Sequence, residues 1–143
     1  MTTRSSSIPA THIGFAAGRH GDGVAYAAVP AQGREATLLR VTFRCRPLEA
    51  LRGRDVAYAA LQAVALALRQ SGHQAIAFYV EDGAVAADLA DRVPLPAALT
   101  IPYVRLRCTL NRFRQATVVA RADRMTRDLT ARAQAETTLD SAA

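Results

Sequence analysis

The sequence predicts an α+β or α/β domain: a mixed five-stranded sheet with flanking helices. Three observations carry that prediction. Three strand-like segments follow one another with short turns between residues 12 and 45. A long apolar helix then opens at Asp55, and a continuous apolar strand follows at Ala75–Val80. Later a short strand leads into an arginine-rich helix, so the order is β-β-β-α-β-α-α-β-α. Strands come first and then alternate with helices, which gives a sheet of mixed direction.

Residues 1–11 are small and polar and form an expected N-terminal tail; residues 12–136 form the domain and 137–143 a C-terminal tail. His12 to Ala17 alternates weakly and predicts a strand. Gly18-Arg19-His20-Gly21-Asp22-Gly23 predicts a hairpin turn, because its glycines supply the positive φ a turn needs. Val24 to Val29 is the second strand, and Pro30-Ala31-Gln32-Gly33 the second turn. From Thr37 to Cys45 the alternation is clear: Leu39, Val41, Phe43 and Cys45 on one face, Arg40, Thr42 and Arg44 on the other.

Asp55 is the expected N-cap of the long helix, with Val56, Ala60, Leu61, Val64, Ala65 and Leu68 on its apolar face. Ser71-Gly72 ends it. The apolar run Ala75–Val80 predicts a strand covered on both faces. Asp82 or Gly83 starts a short helix with Val85 and Leu89 inward, and Arg92 to Ala97, with two prolines, is a loop. Tyr103, Leu106, Leu110 and Phe113 fit a helical stripe, although Val104, Leu106, Cys108 and Leu110 fit a strand equally well. Pro102 suits a first helical turn and favours the helix. Ala116 to Ala120 is then a strand, and Asp123 caps a last helix with Met125, Leu129 and Ala133 inward.

A length of 143 residues is one domain, and half of them are hydrophobic, mostly Ala, Val and Leu; that is a folded chain rather than a disordered one. All 18 basic residues are arginine, as a GC-rich, bacterial coding sequence would give. The net charge is +6. The segment from Arg105 to Arg132 holds eight arginines against Asp123 and Asp128 only, so it alone matches the charge of the whole chain. Such a density is the footprint of a polyanion binder. Cys45 and Cys108 sit apart among apolar neighbours and belong to no CxxC pattern, which suits a reducing compartment. No secretory signal is expected, since Arg4 and Ser5-Ser6-Ser7 offer no apolar core segment, and the longest apolar stretch, Val56–Leu68, is too short to cross a bilayer. The expected location is the cytoplasm, with no membrane association. His12, His20 and His73 are scattered and give no ligand spacing. The glycine-rich turn leads into a strand, not into the helix N-terminus that a phosphate loop requires.

The order and spacing of these elements resemble the ribonuclease H-like superfamily over residues 12–136. The local matches are Val56-Ala57-Tyr58-Ala59-Ala60-Leu61 against a family pattern Ala-Glu-Tyr-x-Ala-Leu, the strand running into Glu81-Asp82, and the spacing of Leu106, Leu110, Phe113, Val118, Val119 and Arg121. The resemblance implies cleavage of the RNA strand of an RNA–DNA hybrid by two divalent metal ions held by four acids. The first-strand acid falls at Ala16 or Ala17, the helix acid at Ala57, the fourth-strand acid at Glu81 or Asp82, and the last-helix acid at Asp128, or at Arg127 if Leu129 sets the register. Two of the four positions therefore hold alanine. Asp55, two helical positions from Ala57, points about 200° away and cannot stand in for the missing glutamate.

The expected function is a non-catalytic or weakly active nucleic-acid-binding protein on a ribonuclease H-like scaffold. Arg105, Arg107, Arg112, Arg114, Arg121 and Arg124 are its expected phosphate contacts, on duplex or hybrid, since the guanidinium fork suits phosphate. The resemblance leaves a second possibility, a nuclease using Mg²⁺ or Mn²⁺ at a rearranged site. Its catalytic candidates are Glu81, Asp82 and Asp128, with Glu81 and Asp82 holding the metal; otherwise no cofactor is expected. The third is an assembly module whose arginines meet an acidic protein partner.

Overall fold

The computed structural model describes residues 8–31, 34–91 and 94–142. Residues 1–7 of the N-terminal tail, Gln32 and Gly33 of the second turn, Arg92 and Val93 of the loop and Ala143 lie outside the described residues. The elements are β1 (Ala10–Ala17), β2 (Asp22–Ala31), β3 (Arg34–Arg44), α1 (Arg54–Gln70), β4 (Ala75–Val80), α2 (Ala84–Leu89), α3 (Thr100–Leu110), β5 (Gln115–Ala120) and α4 (Arg124–Ala142). Every expected element is present in the expected order. α4 runs on to Ala142, well past residue 136. Among the described residues no helix is long and apolar enough to cross a membrane.

The five strands form one sheet in the order β3-β2-β1-β4-β5. β1, β2 and β3 are an antiparallel meander, while β4 lies parallel to β1 and β5 parallel to β4. The carboxyl ends of β1, β3, β4 and β5 therefore share one end of the sheet. The hairpin turn forms as expected, with Gly21 at φ 92° and its carbonyl accepting the amide of Cys45 at 2.9 Å. This bond draws the β1–β2 turn against the segment that leaves β3.

The period of two in the strands divides the protein into layers. On one face Ile13, Ala25, Ala27, Val29, Ile76, Phe78 and Val80 meet α1, α2 and α3 in the main core, around Tyr58, Leu61, Val64, Leu68, Val85 and Leu106. On the other face Val24, Tyr26 and Ala28 meet Leu129 and Ala133 of α4. β2 is thus buried on both sides. β4 is covered by helices on one face only; on the other, Tyr79 is half-buried beneath Arg121. β3 shows the expected alternation, with Leu39, Val41 and Phe43 half-buried and Arg40, Thr42 and Arg44 exposed.

The ambiguous segment is helical: Leu106, Leu110 and Phe113 are buried, and Pro102 stands in the first turn of α3. Three expectations need correction. β4 is not covered by helices on both faces, because α4 packs over β1 and β2 instead. Asp55 does not cap α1. Gly53 holds that position, and the buried Asp55 carboxylate accepts the amide of Leu48 at 2.7 Å, folding the β3–α1 loop back on the helix. Met125 does not face inward: it is exposed, and Thr126, Leu129 and Ala133 form the buried stripe at i, i+3 and i+7. Thr126 is buried despite its hydroxyl because that hydroxyl donates to the Arg121 carbonyl at 2.9 Å.

Candidate functional site

The strand order reverses between β1 and β4, since the chain leaves β1 for β2 on one side and meets β4 on the other. The carboxyl ends at such a reversal are where open sheets place their ligand crevices. Here that end carries Ala16 and Ala17 from β1, Glu81 and Asp82 after β4, and the first turn of α1. Ala16 is half-buried beside α4, and Ala57 is buried in the main core. Glu81 and Asp82 are both exposed. Asp82 accepts the Ala84 amide at 2.9 Å and so holds the start of α2. Asp128 is an exposed α4 residue whose carboxylate lies 3.9 Å from Arg124. Among the described residues no group of three His, Cys, Asp or Glu side chains is placed to hold a metal ion.

The first turn of α1 carries a different polar arrangement. Asp88 of α2 is buried, accepts a hydrogen bond from Arg54 and another from Tyr58 Oη at 2.8 Å, and so joins α2 to α1. Burial and the neighbouring Asp88 carboxylate both push the Tyr58 phenol above its ordinary range. Arg54 and Tyr58 share the first turns of α1 with Ala57, the residue that stands where the ribonuclease H-like pattern has a glutamate. Asp88 escaped the sequence reading. Its one signal is an acid on the inward face of a short helix, three residues after Val85.

A second pair joins β1 to the start of α4. His12 Nε2 donates to Asp123 Oδ2 at 2.9 Å, and Tyr79 stands edge-on to the His12 ring. Asp123 also accepts the Thr126 amide at 3.0 Å, as the expected helix cap. That amide is the main reason its carboxyl titrates below its ordinary range; the Thr126 hydroxyl and His12 add to it. Positions 12 and 123 carry no sequence signal of contact, because only the strand order makes them neighbours.

The six expected phosphate contacts do not form one surface. Arg105 and Arg112 border a groove between α1 and α3. Arg107 donates to Tyr103 Oη at 3.0 Å and to the Leu89 carbonyl at 2.9 Å, and so ties α3 to the end of α2. Arg114 donates its amide to the Gln74 carbonyl at the amino end of β4, opposite the candidate site. Arg121 and Arg124 alone stand at the carboxyl end, the first stacked 4.8 Å over the Tyr79 ring. The fold adds arginines that the composition of the C-terminal segment concealed. Arg19, Arg46 and Arg52 are exposed, and the Gly21–Cys45 bond brings the turn bearing Arg19 against Arg46.

No family model and no curated protein matches this chain. Solved structures do. RNase H1 from the halophilic archaeon Halobacterium salinarum NRC-1 superposes with a TM-score of 0.69 at 18% identity, covering 92% of this chain and 99% of that one. The N-terminal RNase H domain of rv2228c from Mycobacterium tuberculosis gives 0.59 at 17%, covering 94% and 99%. LC11-RNase H1, in complex with an RNA/DNA hybrid, gives 0.59 at 10%, covering 88% and 91%. The strand order, the helical layers and these superpositions agree: the chain adopts the ribonuclease H-like fold.

Proposed function

We propose that this chain binds nucleic acid, duplex or RNA–DNA hybrid, through the carboxyl end of its sheet, and does so without two-metal phosphodiester chemistry. The observation that carries this reading is the make-up of that end: alanines at 16, 17 and 57, with exposed Arg19, Arg46, Arg52, Arg121 and Arg124 around them. A pair of Mg²⁺ or Mn²⁺ ions needs several oxygen ligands. The alanines offer none, Asp82 gives one carboxylate oxygen to the Ala84 amide, and the exposed Asp128 carboxylate lies 3.9 Å from Arg124. Glu81 and Asp82 by themselves do not fit such a pair. The arginines suit phosphate, because the guanidinium presents a planar fork of donors. A structural neighbour bound to an RNA/DNA hybrid supports the choice of ligand. A cytoplasmic location, where Cys45 and Cys108 stay reduced, fits it too.

Fluorescence anisotropy tests the binding, with a labelled RNA–DNA hybrid beside duplex and single-stranded DNA of equal length across a salt series. The expected result is binding whose log affinity falls with log salt by about 0.9 per phosphate contact. No binding of any of the three at low salt overturns the reading. Cleavage of the hybrid in Mg²⁺ or Mn²⁺ that Glu81→Gln or Asp82→Asn abolishes overturns its non-catalytic half.

A further inference from the structure

The groove between α1 and α3 has no role in the nucleic-acid reading. It faces away from the sheet, has a volume of about 540 Å³, and is floored by Leu66 of α1 with Ile101 and Val104 of α3. These three are 38%, 68% and 51% exposed, so two adjacent helices leave aliphatic side chains uncovered along one shared furrow. A shared furrow between helices is the shape that receives a peptide segment.

The polar lining of the groove says what kind of segment. Gln62 lies in the groove and donates through Nε2 to Thr109 Oγ1 at 2.8 Å, while that hydroxyl donates to the Arg105 carbonyl at 3.1 Å. These donor directions fix the orientation of the Gln62 amide. The groove is also one-signed. Arg105 and Arg112 border it, Arg69 donates to the Arg112 carbonyl at 2.9 Å beside it, and none of the residues lining it is acidic.

We infer that the α1–α3 groove docks a peptide segment of a partner protein in which apolar side chains alternate with aspartate or glutamate. The apolar side chains cover Leu66, Ile101 and Val104. The carboxylates meet Arg105 and Arg112. Charge complementarity favours this occupant over a neutral apolar surface. The floor favours a peptide over a nucleic acid strand, because it is aliphatic and offers no aromatic ring for a base to stack on. The site lies on the helical layer, so nucleic acid on the sheet end and a peptide here can be bound together.

Cys108 lines the same groove and is exposed, whereas Cys45 is partly buried and burial raises its thiol pKa. A thiol reagent on a Cys45→Ala background therefore reports the groove. The probe is a fluorescein-labelled peptide library with Leu, Ile and Phe set among Asp and Glu, against a matched library with Lys in place of the acids. The full-length chain is expected to bind acidic members at least tenfold tighter than their lysine counterparts. Bound peptide slows maleimide reaction at Cys108. Arg105→Glu with Arg112→Glu, or Val104→Glu alone, weakens binding at least tenfold while circular dichroism stays unchanged, since all three side chains are exposed. Equal binding of both libraries overturns the inference. So does acidic-peptide binding indifferent to these substitutions and to Cys108 modification. Protection of Cys108 by a DNA or RNA oligonucleotide in place of peptide overturns it in favour of a nucleic-acid groove. The sheet-end substitutions Arg19→Glu and Arg121→Glu leave peptide binding intact, so this inference and the nucleic-acid reading fail separately.

Discussion

Tyr58 and Asp88 meet across the α1–α2 contact, phenol to carboxylate at 2.8 Å, with both residues buried. Arg54 supplies the other hydrogen bond to the same carboxylate, and its Nε is buried without a partner. The network is thus complete only on the Asp88 side. Asp88→Ala leaves a largely buried guanidinium unpaired, for which about 3–5 kcal/mol is the expected loss. Tyr58→Phe removes one bond to a charged acceptor and should cost about 1.5–3 kcal/mol. Urea unfolding of both variants measures this. A loss from Asp88→Ala no larger than that from Tyr58→Phe would show that Arg54 finds water instead.

Gly14 is where α4 rests on the sheet. A Cβ there would lie 2.1 Å from Thr130 N and 2.3 Å from Leu129 C, so the obstruction is helix backbone, not a side chain that can turn away. Gly14→Ala must push α4 off β1, with an expected loss of about 1–3 kcal/mol or more. Leu129→Ala costs about 2–5 kcal/mol through its cavity. Combining the two should not rescue Gly14→Ala, because trimming a side chain does not move the backbone. Recovery in the double variant would refute this packing.

The element order and the exposed face of β3 were legible because both follow from the alternation of apolar and polar residues. The interior of the first turn of α1 was not. Asp55 looked like a cap by residue type, yet Gly53 begins the helix and Asp55 is held by the Leu48 amide, a loop contact that local sequence does not encode. Met125 fitted the helical period, but Thr126 displaced it inward because a carbonyl in the preceding loop accepts its hydroxyl. At the candidate site, the alanines at 16, 17 and 57 could be read directly. The arginines could not be grouped from sequence, since positions 105 and 107 lie about 200° apart on one helix. Arg19 and Arg46 become neighbours only through a hairpin turn meeting the end of β3.

Two carboxyls on the α4 side of the sheet predict how stability responds to acid. Asp123 is held low by the Thr126 amide and hydroxyl and by His12; Glu136 is held low by Arg40 and by the Tyr26 hydroxyl. A carboxyl whose folded pKa lies below its unfolded value stabilises the fold above that unfolded value, and the contribution fades as pH falls through the folded one. The ordinary values here are 3.8 and 4.5, so stability should be level near neutrality and fall below about 4.5. Asp123→Asn and Glu136→Gln should lower the neutral-pH urea midpoint and flatten the acid limb. An acid limb as steep in the double variant as in the parent would assign the pH dependence to other groups.

The separation of the arginines makes the last prediction. If the sheet end is the nucleic-acid surface, reversing Arg19, Arg46 and Arg121 to Glu frees three phosphates there. Affinity for hybrid or duplex should drop, and the salt slope should become shallower by about 0.9 for each phosphate no longer neutralised, roughly three units in all. Reversing Arg105, Arg112 and Arg114 makes the same change in net charge on the α3 side and at the opposite end of the sheet. A long-range charge effect would weaken binding equally in both triples, and physiological salt would largely screen it. Direct contact gives a large loss with a shallower salt slope in the first triple, and a small loss with the slope unchanged in the second. The reverse ordering would move the nucleic acid to the α3 face, where the arginine density of the sequence first suggested it.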